Sequence, residues 1–221
     1  MPRQFNTDIT LDDLLREIYF TRAALAADDD ALELLSMTDH WEALFDVLQA
    51  KQRASMRAQL GADALRRVTN GRLDDACTSF GSELGLRNKA DTPEWRLYFR
   101  NTTLSRFVRQ AFATQVGAVE AWLSTSAHPV FEAHRAVITR TVQAARRAIV
   151  ATEASAVPLG EWQIARAMFA EDMTRERDGL WAALDEHRRA HNLPREWPDV
   201  FFRVETSDNA KPAAAVDPVA Q

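Results

Sequence analysis

The run "LSRFVRQAFATQVGAVEAWL", Leu104 to Leu123, carries the strongest core signal in this 221-residue chain. Apolar side chains recur there at intervals of three and four residues, the period of one helix face. They are Leu104, Phe107, Val108, Ala111, Phe112, Val116, Val119, Trp122 and Leu123. The pattern predicts a helix from Pro93 to about Thr125, either continuous or interrupted at Asn101, with its apolar side in the core.

Helical patterns also fill the sequence on both sides of this run. An acidic N-terminal segment, residues 1–35, contains a helix that begins after Thr10, whose hydroxyl can accept an otherwise unpaired backbone amide hydrogen. Later patterns predict helices over residues 129–153 and 158–191, and prolines begin both of them.

The pattern over residues 39–84 leaves two alternatives open. Gly61 and the pair Asn70-Gly71 interrupt it, yet the helical spacing continues on both sides. An interior glycine costs a helix only about 1 kcal/mol relative to alanine, so one kinked helix is as acceptable as two helices with a turn at 70 and 71. Between Gln52 and Gln59 the apolar residues are sparse, and a helix could present a polar contact face there.

Few residues in the chain favour turns, and no segment alternates in the manner of a β-strand. Only 7 glycines and 8 prolines are present, which predicts long elements joined by short connections. Long helices with short connections pack most simply as antiparallel neighbours. The sequence therefore predicts an all-α antiparallel bundle of long amphipathic helices, a single domain over residues 1–205.

The bundle is expected to end in an aromatic strap over residues 192–205. In "NLPREWPDVFFRV", Asn192 to Val204, two prolines stop the last helix and keep the chain extended. Trp197, Phe201 and Phe202 would then either fold back across the open end of the core or dock into the groove of a partner. Residues 206–221 contain no aromatic residue and are rich in Ala, Pro and Asp, which predicts a disordered tail.

Composition argues against several classes of protein. The net charge is −5, so the molecule as a whole lacks the net positive charge expected of a nucleic-acid binder. A single cysteine, Cys77, excludes an intramolecular disulfide, and the first residues lack the apolar core of a secretory signal. No apolar stretch approaches the ~18 to 20 residues that span a bilayer. We therefore expect a cytoplasmic protein without a membrane partner.

Charge is unevenly distributed along the chain. Residues 1–35 hold three Arg and eight acidic residues, a balance of −5, whereas residues 93–153 hold eight Arg and four Glu, a balance of +4. The acidic helix could pack beside the basic hairpin within one molecule. Alternatively, arginines of the hairpin form a face for an acidic partner or a phosphate. These are Arg96, Arg100, Arg109, Arg135 and Arg146.

Only one group of residues suggests chemistry, because the usual catalytic and phosphate-binding motifs are missing. His187 and His191 are four residues apart and share a helix face, as two metal-binding imidazoles can. Glu176 lies on the same face, and His134 lies beside apolar residues of another helix. If the helices are neighbours, these four could form a metal site or a proton-transfer pair. The alternative is that they are hydrogen-bonded or solvated groups at the edge of the core.

The sequence favours a non-enzymatic protein that needs no cofactor and acts by association with another protein or with itself. The residues expected to bind a partner are Trp197, Phe201, Phe202, Arg96 and Arg100. The alternative function is a metal- or small-molecule-binding bundle, with or without enzymatic activity, built on His134, Glu176, His187 and His191. Cys77 falls in an apolar stripe and is expected in the core.

Overall fold

The structure is a computed structural model that describes residues 9–88, 92–124 and 128–203. Helices make up most of this part of the chain, and it contains no β-strand. The all-α fold predicted from the sequence is therefore confirmed. The expected tail, 206–221, lies outside the described residues, as do the last two positions of the expected strap.

Seven α-helices and two short 3-10 helices follow one another within the described residues. In chain order they are α1 (Leu11–Ala27), a 3-10 helix (Leu32–Thr38), α2 (Trp41–Arg87), α3 (Pro93–Phe99), α4 (Leu104–Phe107), α5 (Phe112–Leu123), α6 (Pro129–Ala154), α7 (Ala156–His191) and a second 3-10 helix (Trp197–Phe201). None of these helices combines the length and the apolar character that crossing a bilayer requires.

The chain divides into two compact units. Unit 1 comprises residues 1–49 and 165–221, and unit 2 comprises residues 50–164. The long helices α2 and α7 each contribute residues to both units. The single domain expected over residues 1–205 stays a prediction.

The core of unit 1 is mainly apolar, with a buried ion pair among its few polar residues. Side chains from α1, α2 and α7 fill it, among them Ile18, Trp41 and Leu180, each fully buried. Arg177 of α7 reaches Glu17 of α1 at 2.6 Å, and the two residues are only 1% and 5% exposed. The Arg177 guanidinium also lies over the Phe202 ring, 5.2 Å from its centroid.

Unit 2 has a core rich in aromatic rings. Phe80 of α2 lies at its centre, with ring centroids 4.9 to 5.9 Å from those of five neighbours. These neighbours are Tyr98, Phe99, Trp122, Phe131 and His134. The apolar run 104–123 supplies Phe107, Phe112, Val116, Val119 and Trp122 to this core. Cys77 is also fully buried in it, as expected.

Helix α2 is continuous for 47 residues. Of the two alternatives for residues 39–84, the structure has one helix, because Gly61 and Gly71 adopt ordinary negative φ and do not form a turn. The helix also continues past Gly85 and ends at Arg87. Gly81 has a packing role, since an added Cβ would lie 2.7 Å from Leu104 Cδ1 and 2.9 Å from Phe99 Cζ.

Of the two alternatives for residues 93–125, the structure has the interrupted one, and the segment forms three helices, α3, α4 and α5. The first break is at Arg100, which has a left-handed φ of 52° and cannot continue the helix. Thr103 then begins α4, its side chain accepting a hydrogen bond from the Arg106 amide. A single residue, Ser155, separates α6 from α7, so α7 begins at Ala156 rather than at Pro158.

Candidate functional site

The histidines that suggested a metal site form a stacked pair in unit 1. The rings of His187 and His191 are 4.0 Å apart between centroids, and Trp197 stacks on His187 at 5.8 Å. His187 Nδ1 lies 2.8 Å from a carboxylate oxygen of Glu33, while its Nε2 is buried without a hydrogen-bond partner. The pair is thus part of a packed stack in which one carboxylate accompanies two imidazoles.

The other two residues of the expected set have different partners. Glu176 lies 3.5 Å from His40 Nε2 in unit 1. His134 belongs to unit 2, where its Nε2 lies 2.9 Å from Glu83 and its ring packs edge-on against Phe80. In the part of the chain that the structure describes, no three His, Cys, Asp or Glu side chains are grouped as metal ligands. A metal site at His134, Glu176, His187 and His191 stays a prediction.

The three aromatic residues near the C-terminus contact unit 1 itself. The Trp197 indole nitrogen donates a hydrogen bond to Asp28 at 2.9 Å, and its ring meets Phe201 edge-to-face at 4.9 Å. Phe201 and Phe202 are 1% and 5% exposed. Phe201 and Phe202 therefore leave little apolar surface for another molecule. The role of the three aromatic residues in binding a partner stays a prediction.

Cys77 is a poor nucleophile. It is fully buried in the unit 2 core, and burial, with a smaller effect of the Asp74 charge, raises the pKa of the thiol to about 12. At neutral pH the side chain is therefore the thiol and behaves as a small apolar residue.

Charge separates more sharply between the two units than the sequence analysis suggested. Unit 2 contains 16 basic and 10 acidic residues, a balance of +6, whereas unit 1 contains 11 basic and 22 acidic residues, a balance of −11. Within unit 2 the excess is greatest on α2, where residues 50–72 hold six basic residues and one acidic residue. Two of the expected binding residues, Arg96 and Arg100, are exposed in this same basic unit.

Large apolar side chains are exposed along the same segment of α2. Met56, Leu60 and Val68 are 54%, 62% and 52% exposed. With Ala64 they recur every four residues and therefore form one stripe on the helix. On its buried side this segment has only small or polar residues, including Ser55 and Thr69. Large apolar groups thus face outward here while small groups face the interior.

This stripe forms one wall of a groove, which we call the α2–α5 groove. Its other wall is the beginning of α5, and its lining consists of Leu60, Asp63, Ala64, Arg66, Arg67, Val68, Asn70, Gln110, Ala111 and Phe112. Ala111, the residue before α5, offers no side chain to bond the first amides of that helix. The positive end of the α5 dipole therefore adds to the charge of Arg66 and Arg67.

The α2–α5 groove is only weakly indicated by the sequence. The sparse apolar spacing from Gln52 to Gln59 suggested a contact face that was polar, whereas the exposed stripe is apolar and extends further, to Val68. The clearer signal was the coincidence of Met56, Leu60 and Val68 with six basic residues in one helix segment.

Comparison of the chain with known protein families, with curated proteins and with solved structures found no match.

Proposed function

We propose that this protein acts by non-covalent self-association, in which the α2–α5 groove of one molecule binds the acidic unit 1 of a second copy. The exposed apolar stripe in a basic groove is the observation that supports the proposal. Exposed apolar patches bordered by charge are typical of protein-binding surfaces. The proposed function is non-enzymatic and needs no cofactor, and with its single cysteine the protein is expected to act in the cytoplasm.

Charge complementarity supports a second copy of the chain as the occupant of the groove. The net charges of the units, +6 and −11, attract each other over roughly 10 Å at moderate salt. Unit 1 also exposes apolar side chains beside its acids. Asp29, Asp30 and Leu32 are all exposed at the beginning of the first 3-10 helix, and Leu32 is 47% exposed. This segment offers carboxylates to Arg66 and Arg67 and a leucine to the apolar stripe.

The two surfaces are different, so the association is head-to-tail. Such an interface leaves one groove and one acidic surface unused at the ends of each pair. Further copies can therefore be added unless a ring closes. The protein is expected to form a series of species whose mean mass rises with concentration.

The test is light scattering coupled to size exclusion, at micromolar to hundred-micromolar protein concentrations and at two salt concentrations. At low salt the mass should exceed the 24.9 kDa of the monomer, and at about 0.5 M salt it should fall towards that value because surface charges are screened. The double variant Arg66→Glu/Arg67→Glu should remain monomeric at low salt. Leu60→Gln should weaken association at both salt concentrations, since it removes apolar contact.

A matched control distinguishes the effect of the groove residues from the effect of net charge. Arg140→Glu/Arg147→Glu makes the same change in net charge on exposed positions of α6, outside the groove, and should weaken association much less than the groove variant does. A monomer at every concentration would refute the proposal. Equal loss of association in the two double variants would show that the groove is not the binding surface.

A further inference from the structure

A second concave surface of unit 2 has the composition of a small-molecule site. It is a crevice of about 360 Å3 where the end of α3 and the following turn meet α4 and α5. Beneath it lie the rings of Phe99, Phe107 and Trp122, each at most 2% exposed. This volume is near the lower end of the roughly 300 to 1,000 Å3 of ligand pockets, which suits a molecule of about one ring.

Small residues of α5 leave the crevice open. Gly117, Ala118 and Ala121 line it, and a Cβ built on Gly117 would meet nothing within 4 Å. Glycine in the interior of a helix is unfavourable relative to alanine, so Gly117 stabilises neither α5 nor the packing around it. Because residue 117 has no side chain, space remains above the rings of Phe99, Phe107 and Trp122.

The described residues that line the crevice include one cation, Arg100, and no acidic side chain. Arg100 adopts φ 52° and ψ −127°, and the Thr102 amide donates a hydrogen bond to the Phe99 carbonyl at 3.1 Å. These are the angles of the first central residue of a type II′ turn, a position that glycine usually occupies. An arginine held there at a conformational cost points to a role for its side chain outside the turn.

We propose that this crevice binds a small organic anion, a carboxylate attached to an apolar body of about one ring. The carboxylate accepts hydrogen bonds from the Arg100 guanidinium, and the apolar body lies along Gly117 and Ala121. Thr102, Gln110 and Thr114 supply polar groups at the rim. Gln110 also lines the α2–α5 groove, so the two sites are neighbours, but this binding does not depend on self-association.

The experiment is an NMR titration of the full chain with two probes, 4-phenylbutyrate and its neutral amide. For a ligand of this size we expect a Kd of about 1 mM or tighter for the carboxylate, with shifts at the Arg100 and Gly117 amides. Arg100→Gly keeps the turn and removes the charge. It should weaken binding of the carboxylate about tenfold or more and leave binding of the amide unchanged.

Filling the crevice gives an independent test with a matched control. Gly117→Leu should abolish binding of both probes, whereas Gly71→Leu, at another helical glycine with no atom near its Cβ, should leave both unchanged. The Arg66→Glu/Arg67→Glu protein should bind 4-phenylbutyrate as the unchanged protein does. The proposal is overturned by absence of binding at about 10 mM, tenfold above the expected Kd. It is also overturned if Arg100→Gly binds the carboxylate with unchanged affinity, or if the shifts lie elsewhere in the chain.

Discussion

Arg177→Met tests how the buried ion pair stabilises unit 1. In the native core the Arg177 guanidinium lies 2.6 Å from Glu17, and both side chains are almost fully excluded from water. Methionine is similar in length but carries no charge, so the Glu17 carboxylate would stay buried without its cation. Breaking a buried pair in this way costs about 3 to 5 kcal/mol of the free energy of unfolding.

The loss should depend on pH in a definite direction. Burial raises the pKa of Glu17 above its ordinary 4.5, and the attraction of Arg177 opposes that rise. Without Arg177 the pKa of Glu17 rises further, so the folded state binds the proton more tightly than the unfolded state does. The resulting stability is fully present below about pH 4.5 and is lost as pH rises through the folded pKa. The variant is therefore expected to be most deficient near pH 7 and to approach the unchanged protein near pH 4.5.

The assay is urea denaturation of the unchanged protein and the variants at several pH values from 7 to 4.5. Arg175→Met is the matched control, because Arg175 pairs with Asp172 on the same helix at an exposed position and should cost less than about 1 kcal/mol. Glu17→Leu/Arg177→Met removes both charges and should recover most of the stability. A loss below 1 kcal/mol for Arg177→Met, or a loss that is the same at every pH, would refute this reasoning.

Three further predictions concern single positions. Arg100→Gly should raise the free energy of unfolding by about 1 kcal/mol, because glycine adopts the left-handed φ without strain. Urea denaturation measures this gain, and the control variant Arg100→Ala should show none. In the same assay Gly81→Ala should cost roughly 1 to 3 kcal/mol, since its Cβ would overlap Leu104, whereas Gly71→Ala should gain up to about 1 kcal/mol. Hydrogen bonds from arginines on the same helix lower the pKa of Asp185 below 3.8, so Asp185→Asn should destabilise the protein at pH 7. In thermal scans, the difference in stability between Asp185→Asn and the unchanged protein should shrink as pH falls below 3.8. A difference in stability that stayed constant with pH would contradict this prediction.

The apolar period of the sequence was sufficient to predict the helices, because burial of one helix face is what produces that period. It also placed Phe107, Val116 and Trp122 in a core. It could not decide where helices end when the ending depends on one backbone angle. Arg100 is an example, since nothing in the residue type indicates a left-handed φ, and the helix expected over residues 93–125 is divided there. The continuity of α2 through Gly61 and Gly71 was equally undetermined, because a glycine permits a turn without requiring one.

Residue types also could not reveal which partners polar groups have. His134, Glu176, His187 and His191 carry the right chemistry for a site, yet in the structure only His187 and His191 stack on each other, and the charged neighbours of His134, Glu176 and His187 are other residues. Those neighbours, His40, Glu83 and Glu33, lie between 51 and 154 residues away in the sequence, too far for any local pattern to connect them. Sequence spacing constrains contacts on one helix, whereas contacts between helices depend on how the helices pack.

In the middle of α2, the residues that face the core differ from those that we propose for binding. Because Ser55, Ala62 and Thr69 are the buried residues of this segment, its interior side contributes little apolar area to unit 2. Leu60 and Val68 are more than half exposed and contribute little to that core either. Substitution of Leu60 should therefore leave the free energy of unfolding within about 0.5 kcal/mol of its original value, as for other exposed positions. We therefore expect Leu60→Gln to weaken the proposed self-association without weakening the fold, and a binding residue differs from a core residue in this respect.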